Sequence, residues 1–94
     1  VTTPKFRVKI RGRGGADDRE LELIREDFAT LRQLAGGAAE IKHIERYFRR
    51  LQARGLAAHT FRSDDAGFPH AFGVLTADGE QALAQDPFAT AAAR

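Results

Sequence analysis

From Lys5 to Arg11 the chain alternates without a slip. Phe6, Val8 and Ile10 are apolar, and Lys5, Arg7, Lys9 and Arg11 are basic. Successive side chains of an extended strand point to opposite faces, so the pattern predicts a strand with one buried face and one cationic face. Gly12, Gly14 and Gly15 break it. Asp17-Asp18-Arg19-Glu20 then reads as a helix start. Asp17 suits the N-cap, Glu20 sits three residues on as in a capping box, and acidic side chains favour the positive end of a helix. Leu21, Ile24, Phe28, Leu31 and Leu34 follow at helical spacing, and Gly36-Gly37 closes the segment. A first helix is predicted from Asp17 to Ala35.

A second helix is predicted from about Ala38 to Arg54. Its apolar residues Ile41, Ile44, Phe48 and Leu51 are spaced three, four and three, with Tyr47 at the edge of the same arc. Lys42, Arg46, Arg49 and Arg50 fall on the opposite arc, with His43 and Arg54 beside them. Glu45 lies between the two arcs, and Glu40 near the apolar one. Gly55 suits a helix C-terminus. His59 to Arg62 and Phe72 to Leu75 read as two short strands joined by a polar tip, Ser63 to Ala71, too long for a tight turn. Thr76 is placed to cap a last helix through about Gln85, and Pro87 ends it. Residues 1–4 and the Ala-rich segment 87–94 read as loose ends of a single 1–94 domain.

Two segments around the hairpin carry a family likeness. Leu51-Gln52-Ala53-Arg54-Gly55-Leu56 has the form Leu-x-x-x-Gly-Leu. Phe72-Gly73-Val74-Leu75-Thr76-Ala77-Asp78-Gly79-Glu80-Gln81-Ala82-Leu83 has the form aromatic-x-x-Leu-Thr-x-x-Gly-x-x-x-Leu, one residue longer between aromatic and Leu than is usual. In that order the stretch Tyr47–Leu83 resembles the C-terminal half of winged helix-turn-helix regulators of the PadR and MarR type. The resemblance implies an α+β winged-helix-like fold, with an extra N-terminal strand, three helices and a β-hairpin wing. It implies that the helix before Gly55 enters the major groove of DNA and that the tip near Asp64–His70 lies along the backbone. Regulators of this type place two helices ahead of the recognition helix, where the pattern here predicts one. A partner subunit or the strand at Lys5–Ile10 would have to stand in for the other, unless a different arrangement merely shares the helix–hairpin–helix end.

Composition excludes more than it selects. The 94 residues make one small domain, and 43% hydrophobic with 30% charged residues is ordinary for a folded chain. There is no Cys, so disulfides and thiolate-bound metals are excluded. No run of about 18 apolar residues and no charged-then-apolar leader is present, which sets the expectation of a cytoplasmic chain with no membrane partner. A first residue of Val fits a processed chain or an excised domain. The net charge of +2 is too small to demand an anionic partner, so the placement of charge matters more than its sum.

The cationic arc of the second helix is the leading candidate for chemistry, because Lys and Arg neutralise phosphates and Arg reads guanine edges bidentately. Arg62 and His70 in the wing would add backbone contacts. The bland alternative is a solvated helix face. The cations of the N-terminal strand, Lys5, Arg7, Lys9 and Arg11, form a possible secondary basic face, spaced at about 6.7 Å and so close to the phosphate repeat of extended nucleic acid. They read more simply as an edge strand kept soluble by charge. A third option buries Phe6, Val8 and Ile10 in a dimer interface. His59, His70, Asp64 and Asp65 gather near the hairpin without any ligand spacing of a known type, so no metal is expected. Phe61, Phe68 and Phe72 read as hairpin packing.

Catalysis is not expected. Ser63 is the only Ser, and Gly12-Arg13-Gly14-Gly15 lacks the Lys-Ser/Thr that a P-loop needs. The reading is thus a double-stranded DNA-binding protein without catalytic residues or cofactor, acting as a homodimer in transcriptional regulation or a plasmid or phage DNA task. Its contacts would be Lys42, Arg46, Arg49, Arg50, Arg62 and His70. The rival is a protein–protein interaction module on a winged-helix-like fold that leaves nucleic acid alone.

Overall fold

The computed structural model describes residues 4–12, 14–15 and 17–88. The alternating segment forms β1, Phe6–Ile10, and its partner is a strand that periodicity did not predict. β2, Arg19–Leu23, runs antiparallel to it, with Arg7 opposite Glu22 and Lys9 opposite Glu20. The helix expected from Asp17 therefore starts later. Arg19-Glu20-Leu21-Glu22-Leu23 also alternates, and its carboxylates answer the cations of β1 rung by rung, which a helix would not do. Asp18 closes the connection instead, accepting the Gly12 N–H at 2.7 Å.

Helix α1 is Arg25–Ala35 and ends at Gly36-Gly37 as expected. Its start is marked by Asp27, whose carboxylate reaches back to the Ile24 N–H at 3.0 Å. Phe28, Leu31 and Leu34 point inward and are buried. The helix expected over 38–54 divides into three pieces: β3, Ala39–Glu40, a single 3₁₀ turn at Ile41–His43, and helix α2, Glu45–Ala53. Ala39 and Glu40 are drawn into a sheet opposite Gly73 and Phe72, and Ile44 breaks the helical path at φ −131°. Between α1 and α2 the structure thus holds one short turn of 3₁₀ helix and no second full helix.

The hairpin strands are longer than predicted: β4 is Ala57–Ser63 and β5 is Pro69–Leu75, in the sheet order β3-β5-β4. Asp64 shortens the tip by accepting the N–H groups of Ala66 and Phe68, both at 2.9 Å. Helix α3, Ala77–Leu83, follows directly, and Thr76 caps it as expected by accepting the Gly79 N–H at 3.0 Å. This is a small α+β domain of winged-helix-like class, with three helices, a wing hairpin behind α2 and an N-terminal hairpin in place of a lone strand.

The core joins both sheets. Val8, Ile10 and Leu23 of the N-terminal hairpin meet Phe28, Leu31 and Leu34 of α1, Phe48 and Leu51 of α2, and Leu56 and Ala82. β1 therefore buries its apolar face within its own chain, and the option of a dimer interface there falls. Phe6 packs edge-on against Phe28 at 6.0 Å and Phe88 at 5.2 Å. Phe88 belongs to the segment read as a loose end, yet Asp86 holds it by accepting its N–H at 2.8 Å, and Asp86 itself is buried against Arg32. Residues 1–3 and 89–94 lie outside the described residues.

The two segments that carry the family likeness meet in space. Gly55 leaves α2 at φ +75°, a conformation that glycine adopts without strain. The Thr76 hydroxyl donates to the Gly55 carbonyl at 2.7 Å, and the Thr76 N–H donates to the Leu56 carbonyl at 3.1 Å. Gly79 lies so close that a Cβ there would stand 2.0 Å from the Leu56 oxygen. Arg19 of β2 completes the junction, bonding the Arg54 carbonyl at 3.1 Å and Asp78 at 2.7 Å. These motif residues lock the end of α2 to the root of the wing.

Candidate nucleic-acid interface

α2 turns Phe48 and Leu51 inward, and leaves Glu45, Arg46, Arg49, Gln52 and Ala53 exposed. Arg46 stacks its guanidinium over the Tyr47 ring at 5.6 Å, and no carboxylate lies within 4 Å of it among the described residues. Arg49 pairs with Glu45 one turn earlier; both are exposed, and such a pair exchanges readily for another anion. Lys42, on the 3₁₀ turn, extends to solvent with its amine 3.6 Å from Glu40. These three cations share the outer side of α2 and the turn before it.

Arg50 does not join them. Its guanidinium turns inward and grips Asp27 through two bonds of 3.1 Å. Asp27 is wholly buried, and with the Ile24 N–H it has three donors. That embrace, above all the hydrogen bonds to Asp27, raises the Arg50 pKa further above its ordinary value. Arg50 is therefore a structural tie between α1 and α2. Nothing in local sequence marks this, because the two residues are 23 positions apart.

The expected wing contacts separate from the helix contacts. The ring of His59 packs against Phe48 at 5.2 Å, so the odd-numbered side chains of β4 face α2. Arg62 then falls on the far face of the sheet, where it lies over Phe72 at 5.6 Å. His70 sits on that face too, held between Glu40 at 3.1 Å and Asp64 at 2.9 Å. Asp64 first, and Glu40 second, raise its pKa above 6.5. The same bond, with the N–H of Phe68, lowers the Asp64 pKa below 3.8. His70 is a clasp joining β3 to the wing tip, and the surface around it carries negative charge from Glu40, Asp64 and the exposed Asp65.

His59 lies across the sheet from His70, bonded to Gln52 at 2.7 Å, so these two are not brought together, whereas His43 and His70 share Glu40. Between α2 and the sheet runs an open groove of about 490 Å³, bordered by Lys42, Arg49 and Gln52 and floored by Phe48 and His59. Of the N-terminal cations, Lys5 lies 3.8 Å from Glu22, and Arg7 and Lys9 alternate with the carboxylates of β2. Among the described residues no helix is long and apolar enough to cross a membrane. Comparison with protein-family models, curated proteins and solved structures found no match.

Proposed function

We propose that this domain binds double-stranded DNA, with α2 entering the major groove, in a regulatory or plasmid- or phage-linked role. The observation that carries the reading is the outer side of α2. Arg46 and Arg49 stand there, with Lys42 on the turn just before, and the opposite face of α2 is anchored in the core directly ahead of a hairpin. Arg62, on the far face of the sheet, does not join them. Arg50 and His70, committed to internal carboxylates, are left out of the contact set. The N-terminal cations remain a secondary face at most, since acidic side chains interleave with them.

Three phosphate contacts would give a slope of log affinity against log salt of about −2.7 on duplex DNA. Binding to random duplex at two salt concentrations tests this. Arg46→Ala with Arg49→Ala should flatten the slope by about 1.8, whereas absence of binding at low salt would end the proposal. A second reading, a protein-interaction module without nucleic-acid binding, is supported by the carboxylates of Glu40, Glu45, Asp64 and Asp65 among the cations. The bare edge of β4 supports it as well.

A further inference from the structure

The free edges of the two sheets are guarded unequally. At β1 the outward backbone groups of Lys9, and those of Arg11 just beyond it, are taken up by side chains of the α3 segment. Gln85 accepts the Lys9 N–H at 2.9 Å and donates to the Lys9 carbonyl at 2.7 Å, as a neighbouring strand would. Gln81 accepts the Arg11 N–H at 2.8 Å. The outer edge of β2 is flanked by Glu20 and Glu22, and β3 is only two residues long. Charge, short length and a covering segment are the usual devices that stop a strand edge from recruiting another chain.

β4 is seven residues long, its one Arg, Arg62, lies on the far face, and among the described residues no segment bonds its outer edge. Its seven residues include no Pro, no Lys and no acidic side chain. Leu56 pairs by hydrogen bond with Thr76 and Asp64 with Phe68, so the even-numbered residues face β5. The N–H and C=O groups of His59, Phe61 and Ser63 therefore point away from the sheet, on three exposed residues. Phe61 stands at the centre of this edge, 69% exposed, stacked on His59 at 6.3 Å and 10°.

We propose that two copies of this chain pair through the β4 edge, antiparallel about Phe61, so that the two three-stranded sheets become one. The edge is self-complementary in that register. Phe61 meets Phe61 of the second copy and exchanges both backbone bonds with it, while His59 lies opposite Ser63. On the other face Arg62 lies opposite Thr60, and Asp64 opposite Ala58, so no like charges meet across the rungs. An aromatic pair at the dyad covers the most exposed large apolar side chain in the described structure. One strand pair with its flanking rings buries less than about 1,000 Å², which places the dimer among weak, concentration-dependent associations. The proposal uses no residue of α2, so loss of the α2 cations and loss of the β4 pairing are tested separately.

Sedimentation equilibrium from about 10 μM to about 1 mM is the test, a span suited to an association of this size. The mass should rise from 10.3 kDa toward twice that value. Over the same span, the amides of His59, Phe61 and Ser63 should gain protection from hydrogen exchange, and those of Ala58, Thr60 and Arg62 should stay protected throughout. Phe61→Lys, at an exposed site that does not disturb folding, should weaken association at least about tenfold. The Arg46→Ala, Arg49→Ala chain should associate like the parent. A chain that stays at 10.3 kDa at the highest concentration overturns the proposal. So does a dimer that survives Phe61→Lys, or one whose protection falls on other amides.

Discussion

Replacing Gly79 by Ala sets two effects against each other. In an open helix the change gains about 1 kcal/mol, because Ala loses less backbone entropy and is the best helix former. Gly79 is the third residue of α3 and is buried. Its added Cβ would stand 2.0 Å from the Leu56 oxygen and 3.1 Å from Leu75 Cδ2. Relief needs a retreat of at least ~1 Å to reach van der Waals separation. The atom that must give is a backbone carbonyl on a fully buried residue, and it already accepts the Thr76 N–H at 3.1 Å. Overpacking of this kind costs about 1–3 kcal/mol, and weakening the Thr76–Leu56 bond adds about 1 kcal/mol. Against the propensity gain, the net is a loss of about 2 kcal/mol, or a Tm lower by about 8–16 °C in a domain of this size. Urea unfolding followed by circular dichroism measures it. Gly36→Ala is the control: its Cβ meets nothing closer than 3.5 Å, so stability should change by no more than about 0.5 kcal/mol. A Gly79→Ala chain as stable as the parent would show that the junction of α2, the wing and α3 is not the tight lock described above.

Arg50 and Arg46 should behave oppositely despite their shared helix. Arg50→Ala strands the buried Asp27 carboxylate and should cost about 3 kcal/mol in denaturant unfolding, whereas Arg46→Ala should change stability by less than about 0.5 kcal/mol. Equal effects would mean that Asp27 does not depend on Arg50. The clasp at His70 should respond to pH with a definite sign. Its raised pKa means that the stabilisation is fully present below pH 6.5 and is lost as pH rises through the folded-state value. The lowered pKa of Asp64 means that its share is present above pH 3.8 and is lost as pH falls through the folded-state value. The clasp is therefore firmest between those limits, with Lys42 and His43 also within reach of Glu40. An NMR titration of the His70 ring should give a midpoint above 6.5 that falls toward 6.5 in Asp64→Asn; an unmoved midpoint would contradict the assignment.

The body of this fold is legible wherever the stabilising partners are near in sequence. The alternation of β1, the apolar spacing of α1, the stop at Gly36-Gly37, the hairpin and the Thr76 cap all follow from local periodicity and turn chemistry. β2 and β3 were hidden because each is a strand only by virtue of a distant partner. Arg19–Leu23 could serve a helix equally well until the cations of β1 stand beside Glu20 and Glu22. Ala39 and Glu40 continue a helical pattern until β5 takes them.

The candidate site divides along the same line. Sequence alone determined that α2 carries a cluster of cations opposite an apolar stripe, because both follow from residue identity and the helical period. Only the tertiary structure decided where each cation goes. A buried carboxylate from α1 claims Arg50, two carboxylates claim His70, and strand alternation turns Arg62 to the far face of the sheet. Lys42, Arg46 and Arg49 remain outward because nothing in the core can repay the cost of taking their charges out of water.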